Sequence, residues 1–395
     1  MRIAGDWLEH PGTQALCAAL EAAGHKALLV GGCVRNALLG QAVCDVDLAT
    51  DAMPETVSAL AAAAGFKPVP TGIDHGTVTV VAHGRPHEVT TFRRDVETDG
   101  RRAVVAYSTD IAEDAQRRDF TMNALYADRQ GRVIDPLGGL PDLTARRVRF
   151  VGDPETRIRE DYLRILRFFR FHAACGDPEG GIDAEGLAAC AALAEGLDGI
   201  SRERIHAELR KLLATRDPAP AVAAMAQAGV LARVLPGADP RALAPLVHLE
   251  TGHLETGHIE AGDLDAAGPP RWLRRLVVLG GDSSALRLSK AEARDLAALK
   301  TAIGSAESPA ALGWRLGVAL ATDALLARGA LLENPLPPAA MAEIRRGAQA
   351  CFPVTAADLM PALQGEALGA RLKALEARWL ASNLSLSRED LLKGT

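Results

Sequence analysis

The chain contains 395 residues, of which 48% are hydrophobic, 24% are charged and 4% are aromatic. This composition is typical of a globular protein, and the length predicts two or more structural units rather than one core. The formal net charge of −6 excludes a chain that is basic throughout, although a local basic face can still bind nucleic acid.

Neither a targeting segment nor a membrane span is predicted. Residues 1–10 lack the apolar centre of a signal peptide, and no stretch is expected to be long and apolar enough to cross a membrane. The six cysteines are scattered without CxxC spacing. Free thiols in a cytoplasmic protein are therefore expected.

The first 142 residues are predicted to form a mixed α/β unit. Helical spacing, with Pro and Gly at the boundaries, predicts helices at 13–23, 33–39, 54–64 and 110–127. Short apolar or alternating runs predict strands at 26–30, 44–50, 75–82, 87–92 and near 131–139. The polar, arginine-rich residues 93–103 are predicted to form a mobile loop.

Strand signals fade from about residue 143 onward. A strongly helical pattern covers residues 154–174, and further helices, separated by Pro- and Gly-containing turns, continue towards the end. The predicted fold class is therefore α+β: a mixed α/β head at 1–142, followed by an all-α neck at 143–215 and an all-α body and tail at 216–395.

One segment of the helical part is repetitive. A five-residue unit, HLETG, occurs in three related copies at 248–262. Three histidines at this spacing could bind a metal, but an interval of five does not place side chains on one helical face. A duplicated, solvated loop or helix edge is the expected structure.

Asp45 and Asp47 form the candidate metal site. On a strand, residues i and i+2 point to the same side, so both carboxylates project together while Val46 turns into the core. Adjacent carboxylates repel each other unless a cation neutralises them, and oxygen ligands of this kind suit Mg²⁺. A lone pair of this type is usually only a surface feature, so its interpretation depends on the surrounding sequence.

Gly31 and Gly32 supply that surrounding sequence, since they lie between a predicted strand and a predicted helix. Backbone N–H groups of such a turn can approach a polyphosphate without an intervening side chain. Arg35, in the first turn of the helix, can add a positive charge to the same phosphates. A phosphate-binding turn followed by paired metal ligands fits metal-dependent nucleotidyl transfer.

Five motifs in order extend the pattern over roughly residues 26–213. The segment LVGGCVRNALLG…DVDLATDAMPE resembles the head signature of class II tRNA nucleotidyltransferases and bacterial poly(A) polymerases, a branch of the DNA polymerase beta-like superfamily. The later motifs of that family are resembled by RRDFTMNALYAD (117–128), DPLGG…DL (135–143), REDYLRILRFFRF (159–171) and SRERIHAELRKLL (201–213), and its C-terminal end by residues 365–392. The resemblance implies a nucleotidyltransferase head, a neck that reads the base, and a body that binds tRNA.

The fourth motif places Asp161 and Arg164 at positions i and i+3 of the predicted helix, hence on one face. Asp accepts and Arg donates hydrogen bonds, which matches the amine and ring acceptor of cytosine and adenine but not the carbonyl and N–H of uracil and guanine. The resemblance implies the same role, since the protein acts as the template in this family. An ordinary intrahelical salt bridge is the alternative.

The remaining site residues follow from the resemblance and from position. Arg118 is expected to contact the triphosphate, Asp119 and Asn123 to contact the sugar or arrange the site, and Arg167 to bind the nucleotide near the base-reading pair. Glu88 is expected to be a third carboxylate beside the metal pair. For the second-motif residues, N-capping and helix surface charge are the alternatives.

The sequence departs from the family pattern at Asn36, where the family usually has Asp. Asn can still cap a helix and form hydrogen bonds, but it removes one negative charge beside the site. No His-Asp phosphohydrolase signature follows residue 213, so the phosphatase activities of some relatives are not expected.

Members of the family add CCA, CC or A to tRNA, or extend poly(A). The polar loop at 93–109 favours full CCA addition, since CC-adding members are said to lack it, and no basic run of the kind common in poly(A) polymerases ends the chain. We therefore expect a CCA tRNA nucleotidyltransferase that uses Mg²⁺, CTP, ATP and tRNA and no membrane. The alternatives are a poly(A) polymerase, a catalytically silent RNA-binding homologue and an antibiotic nucleotidyltransferase.

Overall fold

The computed structural model describes residues 1–73, 76–98, 103–255, 271–334 and 336–393. Its internal contacts divide the chain into two compact units, the first comprising Met1–Ile200 with Ala228–Val230 and the second Ser201–Gln227 with Leu231–Thr395. The first unit contains both sheets, and the second is built of helices and the turns between them. The predicted α+β fold is confirmed, while the domain boundaries predicted after residues 142 and 215 stay predictions.

The first unit combines strands and helices in alternation. Its strands are β1 (Leu28–Val30), β2 (Asp47–Thr50), β3 (Lys67–Gly72), β4 (Thr77–Ala82), β5 (Arg85–Thr91), β6 (Arg93–Thr98), β7 (Ala103–Tyr107), β8 (Tyr126–Ala127) and β9 (Val133–Ile134). Its helices are α1 (Asp6–Glu9), α2 (Pro11–Ala22), α3 (Gly32–Leu38), α4 (Pro54–Ala63), α5 (Ile111–Gln116), α6 (Leu140–Thr144), α7 (Pro154–Glu160), α8 (Leu163–Cys175) and α9 (Ala184–Ala192), with 3₁₀ turns at Thr121–Asn123 and Ala194–Gly199.

The main sheet has the strand order β3-β4-β5-β2-β1-β8-β9. Strands β2 and β5 pair in parallel, with Leu48 opposite Val89 and Asp47 opposite Glu88. Leu48 and Val89 are buried in a core that includes residues of α2 and α4. Because successive side chains of a strand point to opposite faces, the register that buries this apolar pair places Asp47 and Glu88 together on the other face.

The loop predicted at 93–103 is wrong over most of its length. Strands β6 and β7 pair as an antiparallel ribbon, with Arg93 opposite Tyr107, and residues 99–102 lie outside the described part of the chain. The valines of this segment favour extended backbone, a signal that the charged residues around them obscured.

The helix predicted at 110–127 is also wrong beyond Gln116, where α5 ends. Phe120 forms an isolated antiparallel bridge with Phe150, and the N–H of Thr121 donates to the carbonyl of Arg149 at 3.0 Å. This pairing with a distant segment satisfies backbone groups that a longer helix would otherwise have used.

The single helix predicted at 154–174 is broken at Asp161. Helix α7 ends at Glu160 and α8 begins at Leu163, and the backbone of Asp161 between them is extended, with φ −156° and ψ 103°. The carboxylate of Asp161 accepts from the N–H of Leu163 at 3.1 Å. A short polar side chain that binds a nearby N–H competes with continuation of a helix. Asp161 and Arg164 are therefore not i and i+3 neighbours on one helix.

The second unit is held together by helix packing. Its helices are α10 (Arg202–Leu213), α11 (Ala219–Gln227), α12 (Val230–Val234), α13 (Leu243–Glu255), α14 (Trp272–Leu279), α15 (Lys290–Ile303), α16 (Pro309–Leu332), α17 (Ala340–Gln349), α18 (Gly365–Ala381) and α19 (Arg388–Leu392). It also buries charges: Arg274 binds both Glu250 and Asp323, and Arg275 binds Glu250. The first repeat residues, 248–255, lie within α13, whereas 256–262 and the metal hypothesis attached to them lie outside the described residues.

Helix α16 corrects one expectation from the sequence. Among the described helices, it alone is long and apolar enough to cross a membrane by these two measures, although the sequence was expected to contain no such stretch. Of its most apolar window, 61% is buried inside the structure, and Gly317 interrupts it with a φ of 72°. Its apolar composition is that of a core helix.

Candidate active site

Three carboxylates come together where β2 begins. Asp47 is the first residue of β2 and lies opposite Glu88 of β5. Val46 is buried, whereas Asp45 is exposed and Asp47 is half-buried, so the expected alternation holds although Asp45 precedes the strand. Burial, followed by the negative charges of Glu88 and Asp45, raises the pKa of Asp47 to about 6. The group is therefore electrostatically unfavourable without a cation.

The chemistry of these carboxylates suits a hard divalent cation. Carboxylate oxygens are the ligands that Mg²⁺ prefers, and Mg²⁺ usually takes one or two of them and completes its shell with water and substrate phosphates. Within the described residues, no group of three or more His, Cys, Asp or Glu side chains is arranged as a closed metal site. Asp45 and Asp47 thus fit the open kind of site that leaves positions for a substrate.

A sharp turn joins β1 to α3 beside the carboxylates. Gly31 has a φ of 70° and a ψ of −118°, a conformation that residues with side chains rarely adopt. A Cβ atom at this position would lie 3.4 Å from Nη1 of Arg118, and one at Gly32 would lie 3.9 Å from Nη2 of Arg35. The two glycines therefore bring open backbone next to two guanidinium groups.

Arg118 is held by two side chains that the sequence did not single out. Its Nη2 donates to Asp114 at 3.0 Å, and its Nε donates to the hydroxyl of Tyr126 at 3.1 Å. The Tyr126 hydroxyl donates in turn to Asp114 at 2.7 Å, and burial raises the pKa of Tyr126, which keeps this proton in place. The charge of Arg118 lowers the pKa of Asp47, so the arginine and the acidic group belong to one site. The i, i+4 spacing of Asp114 and Arg118 was a usable signal, whereas Tyr126 offered none.

A chain of four side chains continues from the glycine turn. Arg35 donates to the amide oxygen of Asn123 at 2.6 Å, Asn123 donates to Asp119 at 2.9 Å, and Asp119 accepts from Nε and Nη2 of Arg167 at 2.8 and 2.5 Å. Burial alone would raise the pKa of Asp119, but Arg167, Asn123 and the N–H of Phe120 outweigh it and lower this pKa. Asp119 and Asn123 thus orient two guanidinium groups, which favours an arranging role over a direct contact with the sugar.

Arg170 is a further arginine of this site that the sequence did not single out. Its guanidinium group lies 4.1 Å from the ring centre of Phe171, and those of Arg35 and Arg167 lie 4.9 and 5.3 Å from the same centre. Burial, with the positive charges of Arg170 and Arg167, lowers the pKa of Arg35 against the opposing effect of Asp119. The position of Arg170 three residues after Arg167 on α8 was the available signal.

Arg164 does not form the ion pair predicted from the sequence. Its guanidinium group binds the carboxylate of Glu160 and donates to the carbonyls of Arg157 at 2.7 Å and of Arg117 at 3.3 Å. Its backbone N–H donates to the carbonyl of Asp161 at 2.9 Å. The two residues are thus neighbours across the break between α7 and α8, and Glu160 is a residue that the sequence analysis missed.

Asn36 connects the glycine turn to the loop that leads to Asp45. Its Oδ1 accepts from Nε and Nη2 of Arg35 at 3.1 and 2.8 Å, and its Nδ2 donates to the carbonyl of Ala42 at 3.0 Å. An Asp, when ionised, could make the first contacts but not the last, because it has no donor. The departure from the usual family residue therefore has a defined structural use in this chain.

Comparison with known proteins places this site in a family. Residues 27–149 match the family model described as "Poly A polymerase head domain", and residues 181–241 match the one described as "Probable RNA and SrmB- binding site of polymerase A". The chain is 46% identical over 190 residues to the mitochondrial CCA tRNA nucleotidyltransferase 1 of Mus musculus, covering 48% of this chain and 44% of that protein. It is 42% identical over 220 residues to the CCA-adding enzyme of Leuconostoc citreum, covering 55% of this chain and 53% of that protein.

The likeness to solved structures covers nearly all of the chain. The CCA-adding enzyme of Bacillus stearothermophilus, solved in complex with CTP, is 30% identical with a TM-score of 0.72, over 94% of this chain and 92% of that one. With the curated relatives, by contrast, the match spans about half of their length. By fold, motifs and identity, the chain belongs to the family formed by the class II CCA-adding tRNA nucleotidyltransferases and the bacterial poly(A) polymerases.

Proposed function

We propose that this protein adds CCA to the 3′ end of tRNA from CTP and ATP by metal-dependent nucleotidyl transfer. The observation that carries the proposal is that Asp45 and Asp47 share one site with the Gly31 turn and the guanidinium group of Arg118. Nucleotidyl transfer needs a cation site next to positive charges that hold a triphosphate. The similarity to CCA-adding enzymes supports the choice of tRNA, CTP and ATP.

In this proposal Asp45 and Asp47 hold a divalent cation, Mg²⁺, and Glu88 adds a third negative charge nearby. When bound, such a cation neutralises the triphosphate and lowers the pKa of the attacking 3′ hydroxyl. The backbone of Gly31 and Gly32 faces the phosphates without a side chain in the way.

The arginines supply the remaining positive charge. Arg35, Arg118 and Arg167 donate to the triphosphate oxygens, since charge-assisted hydrogen bonds from guanidinium groups are among the strongest that phosphates accept. Asp119 and Asn123 fix the direction of Arg167 and Arg35 before substrate arrives. Donors that are already oriented need no reorganisation when charge develops at the phosphorus.

Selection of C and A is proposed to use Asp161 as acceptor and Arg164 as donor. Arg164 has five N–H groups, and its three contacts with Glu160, Arg157 and Arg117 leave two for a base. A carboxylate has about four lone-pair positions, so Asp161 can bind the N–H of Leu163 and still accept from an exocyclic amine. Uracil and guanine would leave groups of both side chains unpaired.

The helical second unit is proposed to bind tRNA through its phosphates and shape, as a protein of the cytoplasm. Affinity for tRNA should then fall steeply with salt concentration, because each neutralised phosphate releases counterions. Long-range charge of the whole chain does not oppose this, since the arginines of the site are clustered locally.

The test is incorporation of single nucleotides. The purified protein, with Mg²⁺, is given tRNA that ends before CCA or after CC, and each labelled nucleotide in turn. We expect C on the first tRNA, A on the second, and neither U nor G on either. Asp45→Asn and Asp47→Asn should abolish incorporation without loss of fold. No incorporation by the unaltered protein would leave only the silent RNA-binding hypothesis.

A further inference from the structure

One aromatic ring of the first unit is surrounded by arginine side chains. The guanidinium carbons of Arg35, Arg167 and Arg170 lie 4.9, 5.3 and 4.1 Å from the ring centre of Phe171. Two of them come from the same helix as the ring, α8, and the third comes from α3 just after the glycine turn. The ring is thus a common point of contact for two separate elements.

Three positive groups around one ring repel each other, so something must hold them there. A guanidinium group within about 6 Å of an aromatic ring centre is attracted by the negative charge density of its face. The hydrogen bonds of Arg35 go to the neutral amide oxygens of Asn36 and Asn123, which cancel none of its charge. The ring contributes attraction that these partners do not.

The ring itself is fixed by the core. Phe171 is only 5% exposed and lies edge-on to Phe120, with ring centres 5.3 Å apart. Phe120 is fully buried and contacts two further aromatic rings, those of Phe150 and Phe168. A ring held by such a cluster cannot turn away from the arginines without disturbing the core.

We infer that Phe171 is a positioning residue that holds Arg35, Arg167 and Arg170 at the spacing that binds the triphosphate. This inference rests on the proposed function, and it adds an apolar residue to the phosphate site. The ring lowers the mutual repulsion of the arginines in the free protein, so that less rearrangement is needed when the nucleotide enters. An ordinary core phenylalanine would affect stability but not nucleotide affinity.

The test compares Phe171→Leu with Phe171→Tyr and with Phe169→Leu. Leucine keeps an apolar side chain without a ring, tyrosine keeps the ring, and Phe169 is a fully buried ring of the same helix with an edge contact to Phe168. For Phe171→Leu we expect the KM for ATP and for CTP to rise about tenfold, with kcat within about twofold. Phe171→Tyr and Phe169→Leu should keep the KM of the unaltered protein, although Phe169→Leu lowers the melting temperature.

A second measurement separates phosphate binding from base reading. Binding of inorganic tripolyphosphate to the unaltered protein should weaken by the same factor in Phe171→Leu, while the preference for C and A over U and G is unchanged. Equal KM values and equal tripolyphosphate affinity in Phe171→Leu and Phe169→Leu would overturn the inference. If the unaltered protein incorporates no nucleotide, the proposed function fails, and the tripolyphosphate measurement alone decides whether the ring positions an anion site.

Discussion

The guanidinium group of Arg164 binds the carboxylate of Glu160, four residues earlier, rather than that of Asp161. Glu160 is half-buried and also accepts from Arg157 at 3.0 Å. The charge that fixes Arg164 therefore comes from the end of α7, which leaves the carboxylate of Asp161 to cap α8 and to face a base. Recognition of the base in our proposal depends on three residues instead of two.

Replacing Glu160 by Gln should loosen nucleotide selection. The amide keeps the shape but removes the negative charge that fixes Arg164, and a hydrogen bond to a charged group contributes about 1.5–3 kcal/mol. We expect discrimination against UTP and GTP to fall about tenfold or more, measured as ratios of kcat/KM. Glu155→Gln, which removes the exposed partner of Arg159 on the same helix, is the control and should leave these ratios unchanged.

Asp161→Asn tests the acceptor of the base-reading pair. The Asn side chain retains an oxygen for the N–H of Leu163, so the break between α7 and α8 should persist. It gains a donor, however, which meets the amine of cytosine or adenine unfavourably. We expect incorporation of C and A to fall and that of U and G to rise relative to it, with Mg²⁺ binding intact. Selectivity that survives this substitution, and also Asp161→Ala, would show that the base is read elsewhere.

Asp47→Asn should separate catalysis from stability. Loss of a cation ligand should lower kcat by about 10²–10³-fold, because a bound cation contributes several kcal/mol to stabilising the transition state. In the presence of EDTA the same substitution should raise the melting temperature, since it removes one of three carboxylates that repel each other. A melting temperature in EDTA that falls instead would show that the acidic group is not strained in the absence of a cation.

Asp323→Ala should strongly destabilise the second unit. Asp323 is fully buried and is bound by Arg274 at 2.9 Å and by Arg271 at 2.8 Å, so its removal leaves a buried positive charge without one of its partners. Breaking such a pair costs about 3–5 kcal/mol. Denaturant unfolding followed by circular dichroism measures the change, and Asp239→Ala, at the exposed pair with Arg241, should have little effect.

The sequence predicted those parts of the site that depend on local pattern. The Gly31 turn, the alternation around Val46 and the strand that carries Glu88 follow from spacing and apolar periodicity, and the structure has them where expected. The family motifs named most of the arginines. Each of these features is set by residues close together in the chain, so that local signals suffice.

The features that sequence analysis missed depend on contacts between distant segments. The helix at 110–127 ends early because Phe120 pairs with Phe150, thirty residues later. Arg35 meets Phe171 only because α3 and α8 approach each other in the fold. The break at Asp161 was local, but a carboxylate that caps the next helix cannot be told from one within a helix by periodicity alone.

The most direct test of the central claim is the length of the product at single-nucleotide resolution. A tRNA that ends before CCA is incubated with the protein, Mg²⁺, and an excess of both CTP and ATP, and the products are separated on a sequencing gel. We predict that the tRNA grows by two C and one A and then stops. A ladder of added A residues, or addition that continues beyond the third nucleotide, would contradict CCA addition and identify a poly(A) polymerase instead.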